Sequence, residues 1–371
     1  MVNTTARAWG SPSRYIQGPG ELMRLAMHTK KYGKKIFAVI DEYFFEDYGS
    51  KLESMYEKEG AELHSFCYHT EITKERIDEA LVKACEAKAE VIVGIGGGKA
   101  IDTAKCVAAK MEAPLIVIPT SASTDAPTSA MAIIYNDRHE HDDVYYFTKN
   151  PDMVLVDSKI IASAPVRYLV AGMGDAMATA FEARATIAMD SNNYICQESG
   201  CYRRTRTAEV IAHECLKIIL ENGRLAKLAN EKHLVTEALE AVIEANTLMS
   251  GLGFENVGCA AAHCICNGIS LAPGGNKALH GEKVAFGVIC QLLAEHAPME
   301  EIEEIIRFNL SVGLPITLED MGIAANEEIY RTIAGEPGQS EWQREPFYTN
   351  AETVADIIKC ADELGKMYKM Q

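Results

Sequence analysis

Short runs of apolar, mostly β-branched residues alternate with segments of helical periodicity in the first half of the chain. The strand-like runs occupy residues 35–41 (KIFAVID), 63–68, 91–95, 114–119 (PLIVIP) and 153–157 (MVLVD). Helical spacing fills residues 42–56 and 74–89 and resumes at Lys99. Strands buried on both faces read as continuous apolar runs, and strands that alternate with helices form parallel sheets. The pattern predicts an α/β unit with a parallel sheet covered on both faces.

Two further strand-like segments, residues 131–135 and 144–148, flank the polar stretch NDRHEHDD. Alternating apolar residues on either side of a turn-rich segment are typical of a hairpin. We therefore expect an antiparallel hairpin beside the parallel sheet.

The pattern changes after Pro165. Residues 174–190, 208–219, 231–250, 282–296 and 353–370 have helical spacing, with almost no strand signal. We predict two domains, an α/β domain at 1–163 and a helical domain at 164–371. Ligands of open α/β sheets bind beyond the carboxyl ends of the strands. The active site is therefore expected in the cleft between the two domains.

The sequence EVIVGIGGGKAIDTAK, residues 90–105, has the pattern of an anion site. A strand, a glycine turn and a helix start let bare backbone and unpaired N–H groups approach a ligand, typically a nucleotide pyrophosphate. The loop does not fit the G-x-G-x-x-G fingerprint, which requires glycine at Lys99, and it does not fit the P-loop. The alternative is a turn that only packs a helix on a strand. Lys99 favours the anion site, because a cation there opposes the helix dipole unless an anion joins it.

Length and charge narrow the class of protein. A chain of 371 residues exceeds one ordinary core, and a net charge of −17 argues against nucleic acid or an anionic membrane as partner. No signal-peptide pattern and no apolar run of spanning length is visible. The 11 cysteines, odd in number and scattered, indicate free thiols in a reducing compartment. The expected location is the cytoplasm.

The helical half contains candidate metal ligands. Asp175 lies in GMGDAMATAFEA, His263 in CAAAHCICNG and His280 in ALHGEKVAFG. One carboxylate and two imidazoles suit a zinc site with an open position for substrate. Their spacing requires them to come from different helices, so the alternative of surface or core histidines stays open on spacing alone.

Five motifs occurring in order resemble those of the glycerol dehydrogenases, a group of metal-dependent polyol and alcohol dehydrogenases. The motifs are GIGGGKAIDTAK, PTSASTDAPTSA, NPDMVLVDS, AGMGDAMATAFEARA and HGEKVAFG, and the likeness extends over nearly the whole chain. The resemblance implies Asp175, His263 and His280 as metal ligands. Iron-type relatives place a further His four residues after the aspartate, where this chain has Thr179. Zinc is the expected metal, although such ligands also accept other divalent ions.

The resemblance also implies a site for NAD. Gly98 and Lys99 are expected to hold the pyrophosphate, with Gly96 and Gly97 allowing close approach. Asp41, at the end of a strand, is placed to accept the ribose hydroxyls and to repel a 2′-phosphate, unless it is only a helix cap or turn residue. Further positions match residues that line the cofactor in the family: Thr120, Ser123, Ser129, Met131 and Tyr135.

Asp125 corresponds to the family position that contacts the polyol, and its alternative role is an Asx-turn before Pro127. The chain departs from the family at Cys266, where His is common, and at LAPGGNKAL, residues 271–279. Cys259, Cys264 and Cys266, close to His263, are expected to serve as small buried hydrophobes.

The resulting prediction is NAD-dependent, metal-assisted and reversible oxidation of glycerol or a related vicinal diol to dihydroxyacetone. The expected partner is a small polyol, and the expected assembly is a homo-oligomer. The alternatives are a dehydrogenase for a related polyol, hydroxyketone or hydroxy acid, a glycerol-phosphate dehydrogenase, a dehydroquinate-synthase-like lyase, and a binding protein without turnover.

Overall fold

The computed structural model describes residues 3–69, 71–136, 141–195, 200–335 and 339–370. Its strands form three sheets: a six-stranded sheet in the order β2-β9-β6-β5-β3-β4, the pair β1-β10 and the pair β7-β8. The strands are β1 (Asn3–Arg7), β2 (Tyr15–Gly18), β3 (Lys35–Asp41), β4 (Glu62–Tyr68), β5 (Val91–Gly96), β6 (Leu115–Pro119), β7 (Met131–Tyr135), β8 (His141–Tyr146), β9 (Met153–Asp157) and β10 (Cys201–Arg203).

The six-stranded sheet is parallel throughout, which confirms the predicted fold class. Its inner strands β5, β6 and β9 are buried at every residue, as continuous apolar runs require. The register places Gly96 of β5 beside Pro119 of β6, and Asp41 of β3 beside Tyr68 of β4. The glycine loop, the loop after β6 and Asp41 therefore lie at the same edge of the sheet.

Helices cover both faces of the sheet and make up most of the second half of the chain. They are α1 (Leu25–Thr29), α2 (Glu42–Lys58), α3 (Lys74–Glu86), α4 (Gly98–Met111), α5 (Ser158–Ser163), α6 (Val166–Ala188), α7 (Arg206–Glu231), α8 (Glu237–Glu244), α9 (Ser250–Val257), α10 (Ala261–Leu271), α11 (His280–Ala294), α12 (Met299–Val312), α13 (Glu327–Ala334) and α14 (Ala351–Lys369). A π-helical turn, Ala245–Met249, joins α8 to α9. In the part of the chain that the structure describes, no helix is long and apolar enough to cross a membrane.

The hairpin β7-β8 is antiparallel, as predicted, although β8 begins and ends earlier than the sequence pattern indicated. Residues 137–140 of the predicted turn lie outside the described residues. The structure adds three short strands that the pattern did not indicate. Of these, β1 pairs in parallel with β10, so the start of the chain is hydrogen-bonded to the helical half.

One hydrophobic cluster extends from the sheet into the helices. It contains Val117 and Val154 from the sheet together with Met177 of α6 and Ile289 of α11. The sheet and the helices are therefore held against each other by a shared core, and the domain boundary at 163/164 stays a prediction.

Candidate active site

Three helices bring the predicted metal ligands together. Asp175 lies in the middle of α6, His263 in the first turn of α10, and His280 at the first position of α11. The Nε2 atoms of His263 and His280 lie 3.5 and 3.2 Å from the same oxygen, Oδ1 of Asp175. Their ring centroids are 5.3 Å apart. Two imidazoles and one carboxylate thus face a common point.

Glycines allow the close helix contact that this arrangement needs. A Cβ on Gly174 of α6 would lie 2.3 Å from the carbonyl oxygen of Gly281 in α11. A Cβ on Gly281 would lie 1.8 Å from the carbonyl oxygen of Ala171. Because each glycine directly adjoins a candidate ligand, the GMGD and HGEK motifs place Asp175 and His280 against each other.

The cluster fits a divalent metal. Asp175 is 1% exposed, and its Oδ1 atom has no hydrogen-bond donor. Burial acts to raise the pKa of Asp175, but the two neighbouring imidazoles outweigh it and hold the pKa well below its usual range. Burial acts to lower the pKa of His280, whereas Cys266 and Asp175 raise it to about 10. A cation between these groups would satisfy the carboxylate oxygen that no hydrogen bond satisfies.

Asp125 lies directly beside this cluster. Its backbone N–H donates to Oδ2 of Asp175 at 3.3 Å, and its own Oδ2 accepts a hydrogen bond from Ser250 at 2.8 Å. Ser250 also hydrogen bonds with Thr179, the residue one turn after Asp175, at 3.1 Å. Burial, followed by the charge of Asp175, raises the pKa of Asp125 to about 7. The half-buried carboxyl group is therefore held at the edge of the metal cluster by a pair of buried hydroxyls.

The glycine loop leaves room for a ligand. Gly96 has φ +149°, and a Cβ there would lie 2.7 Å from Cβ of Asp41. Gly97 and Gly98 differ, because a Cβ on either would meet nothing within 4 Å. Gly98 begins α4, so its N–H group belongs to the unpaired donors of the first helical turn. This open backbone beside a helix N-terminus fits a pyrophosphate.

Asp41 is both at the predicted cofactor position and the N-cap of α2. Its carboxylate accepts a hydrogen bond from the N–H of Tyr43 at 3.1 Å. Burial raises the pKa of this carboxyl group. The capping role and a ribose-binding role use different oxygens, so the geometry allows both.

Lys99 forms an ion pair with Glu71. The lysine side chain is largely exposed, and an exposed ion pair contributes little stability. An anionic ligand at the start of α4 can therefore replace Glu71 as the partner of Lys99.

The other predicted cofactor positions lie on the segment that follows β6. The N–H of Thr120 donates to the carbonyl oxygen of Gly96 at 3.1 Å, and the hydroxyls of Ser121 and Ser123 are 3.2 Å apart. Burial raises the pKa of Tyr135 to about 12.

Lys105 of α4 holds this segment in place. Its buried ammonium group donates to the carbonyl oxygens of Ala126 and Met131 at 2.6 and 2.7 Å, and to the hydroxyl of Ser129 at 3.2 Å. It also lies 3.0 Å from Oδ1 of Asp102. One buried cation therefore fixes the loop that carries Asp125.

Sequence reasoning did not single out Lys105, Glu182 or Ser250 as parts of the site. Glu182 is buried, lies two helical turns after Asp175, and forms a hydrogen bond with Nδ1 of His263 at 2.7 Å. Its spacing from Asp175 places both residues on one face of α6, which is a signal that the sequence contains. Lys105 has a similar signal, since it follows Asp102 by one turn. Nothing in the sequence connects Ser250 to Asp125.

The three cysteines near His263 are all buried, as expected. Cys266 is more than a small hydrophobe, because its sulfur lies 3.5 Å from Nδ1 of His280. Cys259 lies close to Glu182 and His263, within 4.8 Å by their ligand atoms.

A surface recess of about 230 Å³ lies at the edge strand β4 and helix α3, away from these residues. Its charged lining residues Arg76 and Lys83 both pair with Glu79. We assign no chemistry to it.

Comparison with known proteins gives consistent results. The model of the family "Iron-containing alcohol dehydrogenase" matches residues 12–158. The chain is 40% identical to the glycerol dehydrogenase of Thermotoga maritima, over 100% of this chain and 99% of the relative. It is 36% identical to the glycolaldehyde reductase of Halobacterium salinarum, over 96% of this chain and 97% of the relative. The crystal structure of glycerol dehydrogenase from Schizosaccharomyces pombe superposes with a TM-score of 0.92 at 31% identity, covering 99% of this chain and 93% of that one.

Proposed function

The chain belongs to the iron-containing alcohol dehydrogenase family, and from this membership we propose that it is an NAD-dependent, metal-assisted polyol dehydrogenase. The proposed reaction is the reversible oxidation of glycerol, or of a related vicinal diol, to dihydroxyacetone. Relatives that are named glycerol dehydrogenase and align over the full chain support this substrate class.

The observation that carries the proposal is the contact between Asp125 and the metal-ligand cluster. Asp125 donates its N–H to Asp175, and it lies on the loop that begins beside Gly96 at the end of β6. The glycine loop, Asp125 and the proposed metal ligands are thus linked through the segment that follows β6. A dehydrogenase needs this combination, because the carbinol carbon must lie between the nicotinamide and the group that acidifies the hydroxyl.

Asp175, His263 and His280 would hold a divalent metal, whose chemistry is to acidify a substrate hydroxyl and, in the reverse direction, to polarise the ketone. Bound NAD would supply the acceptor for the hydride of the carbinol carbon. The residues of the chain bind and orient the reactants. Asp125 accepts a hydrogen bond from a substrate hydroxyl while Ser250 fixes its carboxyl group.

On the cofactor side, the open backbone at Gly97 and Gly98 binds the pyrophosphate together with Lys99, and Asp41 accepts the adenosine ribose hydroxyls. Thr120, Ser123, Ser129, Met131 and Tyr135 line the path from there to the metal cluster. Because Lys105 fixes the backbone of this segment, the cofactor meets a preformed surface.

We propose zinc as the metal. The supporting argument is the mixed nitrogen and oxygen ligand set and a reaction that asks no redox change of the metal. Thr179 is engaged with Ser250 and leaves three protein ligands.

A substrate panel tests the proposal. Purified protein with NAD and added zinc should form NADH with glycerol and 1,2-propanediol, and the signal should disappear with a chelator. NADH formation that survives complete metal removal, or no oxidation of any diol, would overturn the proposed function.

A second candidate is reduction of a short hydroxyaldehyde. The full-length similarity to a glycolaldehyde reductase and the unusual residues at Cys266 and 271–279 favour including it. NADH oxidation with glycolaldehyde, faster than with dihydroxyacetone, would support this candidate over glycerol oxidation.

The phosphorylated substrates of the lyase and glycerol-phosphate alternatives have less support. Such substrates need free basic groups, and the helical half has a cluster of three arginines, Arg203, Arg204 and Arg206. Two of the three are paired, Arg203 with Asp190, and Arg204 with Glu209 and Asp190. A panel that includes glycerol phosphate distinguishes these alternatives directly.

We further propose that the protein forms a homo-oligomer. Large apolar side chains exposed on α7 and just beyond it support this assembly: Val210, Leu225, Leu228 and Leu234. Light scattering coupled to size-exclusion chromatography measures the mass directly.

A further inference from the structure

The N-terminus of α10, which carries His263, is held by buried side chains from other elements. Oε1 of Glu182 accepts the N–H groups of Ala260 and His263, at 2.8 and 3.0 Å. Oε1 of Glu345 accepts the N–H of Ala261 at 3.0 Å, and Oε1 of Gln291 accepts that of Ala262 at 3.1 Å. These contacts satisfy the first four N–H groups of α10, whose N-cap residue Ala260 has no side chain that could accept them.

Glu182 differs from the other two side chains in what its second oxygen does. Oε2 of Glu182 lies 2.7 Å from Nδ1 of His263, and the glutamate is 1% exposed. Glu182 is an acceptor for two backbone N–H groups through Oε1, and a carboxylate oxygen accepts hydrogen bonds, so Nδ1 of His263 is the donor in this contact. In the neutral imidazole this leaves the lone pair on Nε2, the atom that faces Asp175.

We propose that Glu182 is a positioning residue that selects the metal-binding tautomer of His263. The proposal rests on the proposed metal site and adds to it a residue that touches neither metal nor substrate. One carboxylate fixes both the backbone and the ring of His263, so it sets the ring orientation as well as the position of its proton.

Among the residues that the structure describes, no carboxylate contacts Nδ1 of His280 in this way. Its Nδ1 atom has the sulfur of Cys266 at 3.5 Å, a longer contact to a weaker acceptor than the carboxylate oxygen that lies 2.7 Å from Nδ1 of His263. Cys259 lies near the Glu182–His263 pair, but the same limitation applies to its thiol. Of the two imidazoles, His263 is therefore the one whose tautomer is fixed by a charge-assisted hydrogen bond.

The substitution Glu182→Gln separates the two tasks. The amide oxygen can still accept the N–H groups of Ala260 and His263, so the helix start keeps its cap. The amide NH₂ then faces Nδ1 of His263 and favours the tautomer with the proton on Nε2, which blocks the metal ligand. The dissociation constant of zinc, measured by competition with a chromophoric chelator, should rise by about 10- to 100-fold.

Glu345→Gln is the matched control, because it replaces a buried carboxyl group by an amide at the same helix start without contacting an imidazole. Burial raises the pKa of Glu345 to about 8, so its carboxyl group is already largely neutral near pH 7. Its zinc affinity should equal that of wild type. Equal zinc affinity in Glu182→Gln and wild type, or equal losses in both variants, would overturn the proposal.

A measurement on the wild type makes the test independent of whether the variant folds. In zinc-loaded protein with ¹⁵N-labelled histidine, the ring of His263 should show a proton on Nδ1 and zinc coordination through Nε2. Coordination through Nδ1 would overturn the role of Glu182 and leave the metal site intact. A wild-type protein that binds no zinc in the chelator competition would instead overturn the metal site itself.

Discussion

Asp41 caps a helix and also carries the charge that we expect to select NAD, and a single substitution can separate these roles. In Asp41→Ser the hydroxyl can still accept the N–H of Tyr43, so α2 keeps its cap. The repulsion of a 2′-phosphate disappears with the carboxylate. The preference for NAD over NADP, as the ratio of kcat/KM values, should fall by about tenfold to a hundredfold.

Asp41→Ala, which removes charge and cap together, should lose thermal stability as well. A wild-type enzyme that uses both cofactors equally would contradict the assignment.

Asp125 should decide between diols and simple alcohols. A vicinal diol offers a second hydroxyl that can donate to Asp125, whereas 1-propanol does not, and the unpaired carboxyl group then costs about 1–3 kcal/mol. We expect kcat/KM for glycerol to exceed that for 1-propanol by at least roughly tenfold, and Asp125→Ala to remove much of this difference. Ser250→Ala is the matched control, because it keeps the carboxyl group and removes only the donor that holds it. Ser250→Ala should lose less of the preference for glycerol over 1-propanol than Asp125→Ala. A difference between the two substrates that persists unchanged in Asp125→Ala would rule out this contact.

At the scale of elements, the ion pair of Lys105 with Asp102 in α4 fixes the loop that carries Asp125. Lys105→Met would remove the ammonium donor from the carbonyl oxygens of Ala126 and Met131 and would leave Asp102 buried without a counter-charge. Removing one partner of a buried pair typically costs about 3–5 kcal/mol in the free energy of unfolding. Urea unfolding of the variant measures this loss, and NAD affinity should fall with it because the loop is no longer fixed.

Asp102→Asn in the Lys105→Met background provides the control for this prediction. The amide keeps an acceptor for the N–H of Ile133 and removes the uncompensated charge. The double variant should therefore be less destabilised than the sum of the two single variants. Strict additivity would show that the two charges do not interact.

The elements that the sequence pattern predicted are those whose burial is uniform. β5, β6 and β9 are buried at every position because both faces are covered. α4 begins within one residue of the predicted Lys99, whereas α6 begins at Val166, eight residues before the predicted helix at 174–190. β1 (NTTAR) and β10 (CYR) carry no such signal, because they are short and polar and are held by pairing between distant segments. Contacts between residues so far apart in sequence are decided by the packed structure, which a local pattern does not contain.

The candidate site divides in the same way. Asp175, His263 and His280 were predictable from motif resemblance, but the resemblance says nothing about what holds them. Glu182 was detectable through its spacing from Asp175, whereas Ser250 and Glu345 reach the site from distant segments. The pairing of Lys99 with Glu71 also has no signal in the sequence, because Glu71 lies 28 residues earlier in a loop that only the folded chain brings to the start of α4.

For the whole molecule, metal binding should stabilise the folded state by linking three helices. Its ligands come from α6, α10 and α11, so the site does not exist in the unfolded chain, and binding stabilises the native state by mass action. Free zinc at a hundred times its dissociation constant would contribute about 2.7 kcal/mol. Chelation should lower the melting temperature and abolish turnover, and added zinc should restore both. His280→Ala should remove the dependence of the melting temperature on zinc. A wild-type melting temperature that does not change with zinc would contradict this prediction.

Glu255 of α9 couples the stability of the whole molecule to pH, because it bridges the helical half to the segments around the hairpin. Its carboxyl oxygens accept the N–H of Ala130 at 2.8 Å and the side-chain amide of Asn150 at 2.6 Å. Burial raises its pKa from 4.5 to about 7, and the hydrogen bonds and the charge of Lys105 offset this only in part. Between these two pH values the folded state binds more protons at Glu255 than the unfolded state, so its contribution to stability falls as pH rises through the window.

The loss amounts to roughly 3 kcal/mol for a shift of this size. The side chain of Glu255→Gln cannot ionise, so this variant should not show the pH-dependent loss. Its amide group accepts the Asn150 hydrogen bond less well than a carboxyl group does, but this cost is the same at every pH. Urea unfolding at a series of pH values, with zinc absent from both proteins, gives the difference in unfolding free energy between variant and wild type. This difference should change in favour of the variant from pH 4.5 to above pH 7. Other titrating groups contribute equally to both proteins and cancel in this difference. Parallel stability curves for variant and wild type would therefore mean that the pKa of Glu255 is not raised in the folded state, because its hydrogen bonds outweigh its burial.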